Sequence, residues 1–453
     1  EIKKNDIFFA IKGKINDGNK FISEAFKKKA SIAVVNKIEK KINISRQIKS
    51  KDSLKFLTKS SELYRENIKT KIIAITGSCG KTTLKELLGN SLKQISTVGI
   101  SPKSYNNKYG VPLSLFNLDQ KNNYGVLEIG MDKKGEIDYL SKIVKPDVGV
   151  ITNINYAHAR NFKNIKQIAL AKSEIINNIK FNGFMVLNAD DDLVYDMRRN
   201  LDCNVALFSM DENNPRVKAL QRLNGITAVY ESGYVTICRG EWKMRIMKAE
   251  DIPLTYGGKA TFMIQNILPA VLAANIQGIS IEDMKAGLET FIPSPSQTPG
   301  RLNLFEFKNF TILLDYAHNP AGMLALKKFT DTLEATVKVG IIAGVGDRRE
   351  EDTNQIGSIA AEMFDEIIIR QDKRLRGRTE EELIKMLHDG IKMVNPNKKT
   401  TIIPSEKEAI TYAIKNAVKG SLIILCSDVI PDALELVQKF KSQEANGELI
   451  FTD

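Results

Sequence analysis

The sequence predicts an α/β protein of three units, with a parallel-sheet unit at its centre and a second doubly wound unit after it. Three observations carry this. Residues 71–90, KIIAITGSCGKTTLKELLGN, read as a buried strand, a glycine turn and a helix. From about residue 70 onward, short apolar runs alternate with helical patterns, as parallel strands joined by crossover helices require. The stretch Ile292-Pro293-Ser294-Pro295-Ser296-Gln297-Thr298-Pro299-Gly300 breaks the alternation and reads as a linker. The expected units are residues 1–69, 70–297 and 298–453.

The first unit reads as a strand at 6–11, a helix at 21–29 and a strand at 31–35. In the second, Ile72, Ile73, Ala74 and Ile75 form an apolar strand, and Leu84, Leu87 and Leu88 share one helix face. Further strands are expected at 124–129, 148–152 and 185–188. The third unit places strands at 311–314, 339–343, 366–369, 400–403 and 422–425, a Rossmann-like pattern.

No apolar run approaches the roughly 20 residues of a membrane span, so no membrane partner is expected. The net charge of +12 invites a nucleic-acid reading. The lysines are spread along the chain, with only short runs such as Lys27-Lys28-Lys29, and no nucleic-acid motif accompanies them. Anionic small substrates account for the charge equally well. Cys79, Cys203, Cys238 and Cys426 lack metal-ligand spacing and fit a reduced, cytoplasmic protein. No secretory signal opens the chain, and a start at Glu1 rather than methionine leads us to expect a missing N-terminal piece.

A strand, a glycine turn and a helix N-terminus make a phosphate cradle. Gly77 and Gly80 let backbone approach a phosphate, with Ser78 and Cys79 between them. Lys81 can reach terminal phosphates, and the hydroxyl of Thr82 or Thr83 can hold Mg²⁺. Ile75 stands where the longer form of this motif has its first glycine. The plain alternative is a Gly-Lys turn before an ordinary helix. Glu128 ends a strand, where a carboxylate beside a phosphate loop suits Mg²⁺. His158 follows another strand end and suits a metal or phosphate. His388 sits on an amphipathic helix and reads as a surface residue. Alone, Lys172 would read as a solvated helix lysine, Asn106-Asn107 as loop chemistry, and Arg301 as a surface arginine.

Together the runs TGSCGKTT, NNKYGVPLSL, LEIGMDKKGEI, PDVGVITNINYAH and AKSEI resemble the MurF branch of the Mur ligase family. The run NDIFFAIKGKINDGNKFISEAFKKKASIAVV is similar to that branch's UDP-binding domain, so this resemblance spans about residues 1–190. From about residue 186 onward, FSMDENNP, QTPGRLNLFEF, LLDYAHNPAGM, GVGDRREED and IIIRQDKRLRGRTEEEL resemble the Mur-ligase-like C-terminal half of cyanophycin synthetases. Where MurF proteins carry Ser-Tyr-Asn-Ala-Asn-Pro, this chain has Asp315-Tyr316-Ala317-His318-Asn319-Pro320. The chain therefore reads as a mosaic, in keeping with a shift from Lys-, Asn- and Ile-rich sequence to sequence richer in Glu, Met and Arg.

The resemblance implies a three-domain ligase whose N-terminal domain binds a UDP-linked substrate. An Asp-Ser-Arg run usual in that domain is absent here. The resemblance implies that Gly77, Ser78, Cys79, Gly80, Lys81, Thr82 and Thr83 hold ATP phosphates. It implies Mg²⁺ at Thr82, Glu128 and His158, and a carbamylated Lys172 holding a second Mg²⁺. It implies that Asn266 contacts adenine, Arg301 the phosphates and Asp315 the ribose. Asn106, Asn107, Asn153, His318, Asn319 and Arg348 are the expected substrate residues. The implied activity is ATP-dependent carboxylate–amine ligation through an acyl phosphate, with Lys81, Lys172 and Arg301 as its catalytic residues. The expected partners are a UDP-linked muramyl peptide and an amine, either D-Ala-D-Ala or an arginine-like amino acid. A monomer is expected. The reading from another class is a non-catalytic nucleotide-binding switch, which has no need of the linker-separated third unit.

Overall fold

The computed structural model describes residues 2–13, 16–156, 161–371 and 375–448. Among these residues three sheets follow one another along the chain. The first is small and parallel, formed by β1 (Ile7–Phe9), β2 (Ile32–Val35) and β3 (Gln47–Lys49) in that order. Its first strand is shorter than the 6–11 expected, and its first helix (Ile22–Lys27) is entered through a 3-10 turn at Gly18–Phe21. Asp17 caps that turn by accepting from the Asn19 amide.

Among the described residues the central sheet has nine strands. They are β4 (Lys71–Thr76), β5 (Val98–Ile100), β6 (Tyr124–Glu128), β7 (Val148–Ile151), β8 (Phe184–Asn188), β9 (Asn204–Ser209), β10 (Ile226–Glu231), β11 (Tyr234–Arg239) and β12 (Trp242–Lys248). Their spatial order is β12-β11-β10-β9-β8-β7-β4-β6-β5. β4 through β10 pair parallel, as the apolar runs predict. β10, β11 and β12 add an antiparallel ribbon that was not expected. Its first turn uses Ser232 at φ 48° and Gly233 at φ 87°, a left-handed pair that matches the twist of a hairpin.

The chain crosses from β4 to one side for β5 and β6, then returns to the other side of β4 for β7. That makes the C-terminal end of β4 a topological switch point, where a crevice opens. The helix Lys81–Lys93 leaves it, with Leu84, Leu87, Leu88 and Leu92 fully buried. Against that helix packs Thr261–Ile276, which is apolar on every side and buried along most of its length.

The third sheet contains β13 (Asn303–Glu306), β14 (Phe310–Asp315), β15 (Lys338–Ala343), β16 (Glu366–Arg370), β17 (Lys399–Ile402) and β18 (Ser421–Cys426). Its order is β13-β14-β18-β15-β16-β17, parallel except for β13. Residues 290–302, which include the proline-rich stretch, hold neither helix nor strand. Gly300, at φ 69°, packs closely on Ile430 there. Tyr256 of the central unit donates to the Leu302 carbonyl and lies tilted against the Phe329 ring, 5.3 Å between centres, tying the two units together across this segment. Among the described residues, no helix is long and apolar enough to cross a membrane. The four cysteines are free.

Candidate active site

The phosphate loop follows β4 at the switch point. Gly77 and Gly80 have φ of 141° and 84°, conformations that cost an L side chain energy. Space forbids a side chain as well: a Cβ on Gly77 would lie 1.9 Å from Thr152 Oγ1, and one on Gly80 2.0 Å from Asn266 Oδ1. Gly80 caps the helix Lys81–Lys93, so the unpaired helix amides face the crevice. Lys81 Nζ rests on the loop's own carbonyls, 3.0 Å from Gly77 O and 3.4 Å from Ser78 O. The neighbouring strand end braces the loop. Ser78 N donates to Asn153 O at 2.9 Å, and Cys79 N to Asn153 Oδ1 at 3.0 Å. Thr152 Oγ1 donates to Cys79 O at 2.7 Å.

β6 brings in Glu128, 2% exposed. Its two oxygens accept from Thr82 Oγ1 at 2.8 Å and Asn106 Nδ2 at 2.6 Å. Thr82 is thus the hydroxyl that reaches the carboxylate. Thr83 is buried at 3% exposure within the helix packing. Lys172 corrects the plain reading of a solvated lysine: it is 3% exposed and donates to Gly77 O at 2.8 Å. Burial, and next the charge of Lys81, push its amine well below the usual lysine range, while Glu128 pulls the other way. His158 lies outside the described residues. Among the described residues, no cluster of three His, Cys, Asp or Glu could hold a metal by itself.

Asn106 and Asn107 part company. Asn106 faces Glu128, whereas Asn107 Oδ1 accepts from the amides of Tyr109 and Gly110, both at 3.0 Å, and so orders the entry to the helix Gly110–Phe116. Both still line the cleft. His388 is half-buried on its helix rather than exposed.

The third sheet supplies the opposite wall. Arg301 Nη1 donates to Gly300 O at 2.9 Å, and its guanidinium lies 4.5 Å from the Tyr316 ring centre. Asp315 ends β14 and accepts from Leu302 N at 2.9 Å and Ala317 N at 2.8 Å. Burial pushes its carboxyl up from the ordinary range, against the pull of Arg301 and these amides. His318 Nδ1 lies 2.7 Å from Tyr316 O. Asn319 caps the helix Pro320–Thr330 and points its amide at Cys79 Sγ, 4.0 Å away. Asn266, 8% exposed, comes from the buried helix and meets the loop at Gly80. These walls enclose a cleft of about 1880 Å³ shared by Lys81, Glu128, Lys172, Arg301, Asp315 and Arg348.

Sequence reasoning missed Thr152, which fills the space behind Gly77, and Lys85. Lys85 is fully buried and donates to Ser101 O at 2.6 Å and to Lys103 O, holding the loop that carries Asn106. Its spacing from Leu84 and Leu88 put it next to the apolar face, the one available signal.

A strand-end glycine-lysine loop, a buried carboxylate and a buried lysine facing an arginine-bearing unit across one cleft are the arrangement of a nucleotide-dependent ligase. Comparison with known proteins identifies the family. Residues 75–274 match the Mur ligase middle domain, and residues 300–429 match the Mur ligase glutamate ligase domain. The cyanophycin synthetase of Geminocystis herdmanii is 38% identical over 385 residues, 82% of this chain and 44% of that protein. The UDP-N-acetylmuramoyl-tripeptide–D-alanyl-D-alanine ligase of Haemophilus influenzae is 30% identical over 356 residues, 78% of this chain and 73% of that one. MurF of Acinetobacter baumannii superposes with a TM-score of 0.75 at 25% identity, covering 98% of this chain and 92% of that one. MurF of Thermotoga maritima in complex with ADP gives 0.70 at 23% identity, covering 98% and 96%. The chain belongs to the Mur ligase family. It spans under half the length of the cyanophycin synthetases it matches. A 385-residue match cannot fit downstream of residue 186, so the two likenesses overlap along the chain rather than meeting there.

Proposed function

We propose that the chain is an ATP-dependent carboxylate–amine ligase that adds D-Ala-D-Ala to UDP-MurNAc-tripeptide. The observation that carries this reading is the convergence of the phosphate loop, Glu128 and Lys172 on one cleft whose far wall holds Arg301 and Asn319. The expected boundaries, 1–69, 70–297 and 298–453, are proposed as substrate, ATP and amine domains. We also propose that it acts as a cytoplasmic monomer. The ADP bound by the Thermotoga relative supports the nucleotide assignment.

In this reading a substrate carboxylate oxygen attacks the γ-phosphorus of ATP in line. The P–O bond to ADP breaks and an acyl phosphate forms. The amine nitrogen then attacks the acyl carbon, phosphate leaves, and an amide remains. Little covalent chemistry falls to the protein, so positioning and charge neutralisation dominate. Lys81 exchanges its two loop carbonyls for phosphate oxygens. The amides of the Lys81–Lys93 helix face the same anion. Arg301, which lines the same cleft, is proposed to meet the phosphates when the third unit closes. Asn266 and Asp315 are proposed for adenine and ribose.

The residues present suit Mg²⁺. The Glu128 carboxylate and Thr82 hydroxyl form the small oxygen donor set with which this ion keeps phosphates and waters as its other ligands. When bound, Mg²⁺ supplies further charge neutralisation at the transferring phosphoryl group. Burial lowers the proton affinity of the Lys172 amine, and it is the unprotonated amine that reacts with carbon dioxide to a carbamate, which supports the carbamylated form.

The second reading, amide formation with an arginine-like amine, is favoured by the 38% identity to a cyanophycin synthetase. One experiment separates the two. ATP, UDP-MurNAc-tripeptide and either D-Ala-D-Ala or arginine are supplied, and phosphate release is followed with mass detection of the product. Amide from D-Ala-D-Ala supports the first reading, amide from arginine the second. ADP release without either amide supports neither.

A further inference from the structure

Arg301 enters the cleft from the short segment that leads into β13. The next residue, Leu302, is fully buried and has φ 48°. That left-handed conformation costs a bulky L residue energy, and it persists only where its surroundings enforce it. Two side chains enforce it here. Asp315, at the end of β14, accepts from Leu302 N at 2.9 Å. Tyr256, from the central unit, donates its hydroxyl to Leu302 O. Asn303, also buried, braces the preceding turn, accepting from Gly300 N at 2.7 Å and donating to Thr298 O at 3.0 Å.

Leu302 is the lever of this segment. From Asn303 onward the chain is fixed in the sheet, where Asn303 pairs with Leu314 of β14. Rotation about φ of Leu302 therefore turns Arg301 relative to the sheet while Asn303 stays in place. The left-handed turn sets the direction in which the arginine leaves the backbone, and so its reach across the cleft. Of the side chains that hold this turn, Tyr256 is the one from the central unit, which also carries the phosphate loop. Tyr256 itself has φ 53°, so a second left-handed residue stands at the same contact. Burial, and then the Asp315 charge, push its phenol above the ordinary tyrosine range, which keeps the hydroxyl a donor. Packing against Phe329 needs only the ring, and a phenylalanine would fill that space.

We propose that Tyr256 is the positioning residue for Arg301: its hydroxyl fixes the Leu302 turn from the central unit, so that the arginine of the third unit is aimed at phosphates held by the central one. The proposal rests on the ligase reading above for the role of Arg301 and adds the residue that aims it.

The test is a double-mutant cycle on Tyr256→Phe and Arg301→Ala. Phenylalanine keeps the ring and removes only the hydroxyl. The cycle is read in two ways. One is affinity for β,γ-imido-ATP by calorimetry. The other is kcat for ADP release with ATP, UDP-MurNAc-tripeptide and either D-Ala-D-Ala or arginine. Tyr256→Phe should lower affinity, kcat or both by about 10-fold, the worth of one buried hydrogen bond. In the Arg301→Ala background the same change should cost under about 2-fold, since no guanidinium remains to aim. A role confined to packing or stability would cost the same in both backgrounds. That additive result in both measurements would overturn the proposal, and so would full affinity and full kcat in Tyr256→Phe. If the unaltered chain binds the analogue but releases no ADP with either amine, the ligase reading fails, and the affinity cycle alone decides this proposal. If it binds no analogue, both fail.

Discussion

Replacing Glu128 separates the charge at the centre of the site from the network it holds. The Glu128 carboxylate accepts from Thr82 at 2.8 Å and Asn106 at 2.6 Å. Glu128→Ala leaves both donors without that acceptor. Each is half-buried, so each loss falls near the low end for an unmade bond, about 1 kcal/mol, and the pair comes to about 2 kcal/mol. For a unit of this size that lowers Tm by about 4–8 °C. Glu128→Gln can keep the network, because the threonine hydroxyl can turn and the Asn106 amide can flip. It should lose about 1 kcal/mol or less, the difference between charged and neutral hydrogen bonds. Melting in EDTA measures these losses without any metal. Nucleotide binding then reads the charge. ADP affinity of the unaltered chain should rise with Mg²⁺, and Glu128→Gln should lose about tenfold or more of that rise, or about 1.4 kcal/mol. A Glu128→Gln protein with the full Mg²⁺-dependent gain would refute the metal role. A Glu128→Ala protein with unchanged Tm would refute the network as drawn.

Three further outcomes follow from named contacts. Lys81→Ala should lower kcat by about 100-fold or more, roughly 2.7 kcal/mol, with an unchanged circular dichroism spectrum; near-full activity would remove Lys81 from the phosphoryl step. Lys172→Met should flatten the dependence of stability on pH. The folded-state pKa of Lys172 is lowered, so the unfolded chain binds more protons between that value and 10.5, and stability rises with pH across the window. Urea midpoints in carbon-dioxide-free buffer from neutral pH to pH 10 should therefore climb less in the variant, and an equal climb would contradict the lowered proton affinity of the buried amine. Arg370→Met should cost about 3 kcal/mol in urea unfolding, because it removes the buried guanidinium that lies 2.9 and 2.7 Å from the Glu406 and Asp428 carboxylates; a loss below about 1 kcal/mol would show that their other contacts and water compensate.

Much of this was legible in the residues. The strand Lys71–Thr76, the loop glycines and the helix from Lys81 stand within twenty residues, and local spacing alone specifies their order. The central and third sheets were readable for the same reason, since buried parallel strands carry continuous apolar runs. The ribbon β10–β12 was less readable, because one of its faces is wet and its strands mix charge with apolar residues. Lys85 was overlooked, and the burial of Lys172 could not be read from its helix alone, because a lysine in a helix carries no local mark of burial. Asn107 was placed with Asn106 by adjacency, yet one side chain turns to the Tyr109 and Gly110 amides and the other to Glu128.

The sequence by itself determined the local pieces: a cradle for a phosphate, strand ends that can carry Glu128 and Asn153, and an arginine just past a proline-rich connection. The strand order was the tertiary structure's to decide. By setting β6 and β7 on either side of β4, it brought Glu128 to Thr82 and Thr152 to Gly77, residues far apart in the chain. It also decided charge. Lys172 is an ordinary ammonium in an extended chain, and only packing against the Gly77 carbonyl beside Lys81 strips its water and lowers its proton affinity. Hydrophobic spacing is encoded residue by residue, whereas desolvation and the meeting of distant charges exist only once the sheets have assembled.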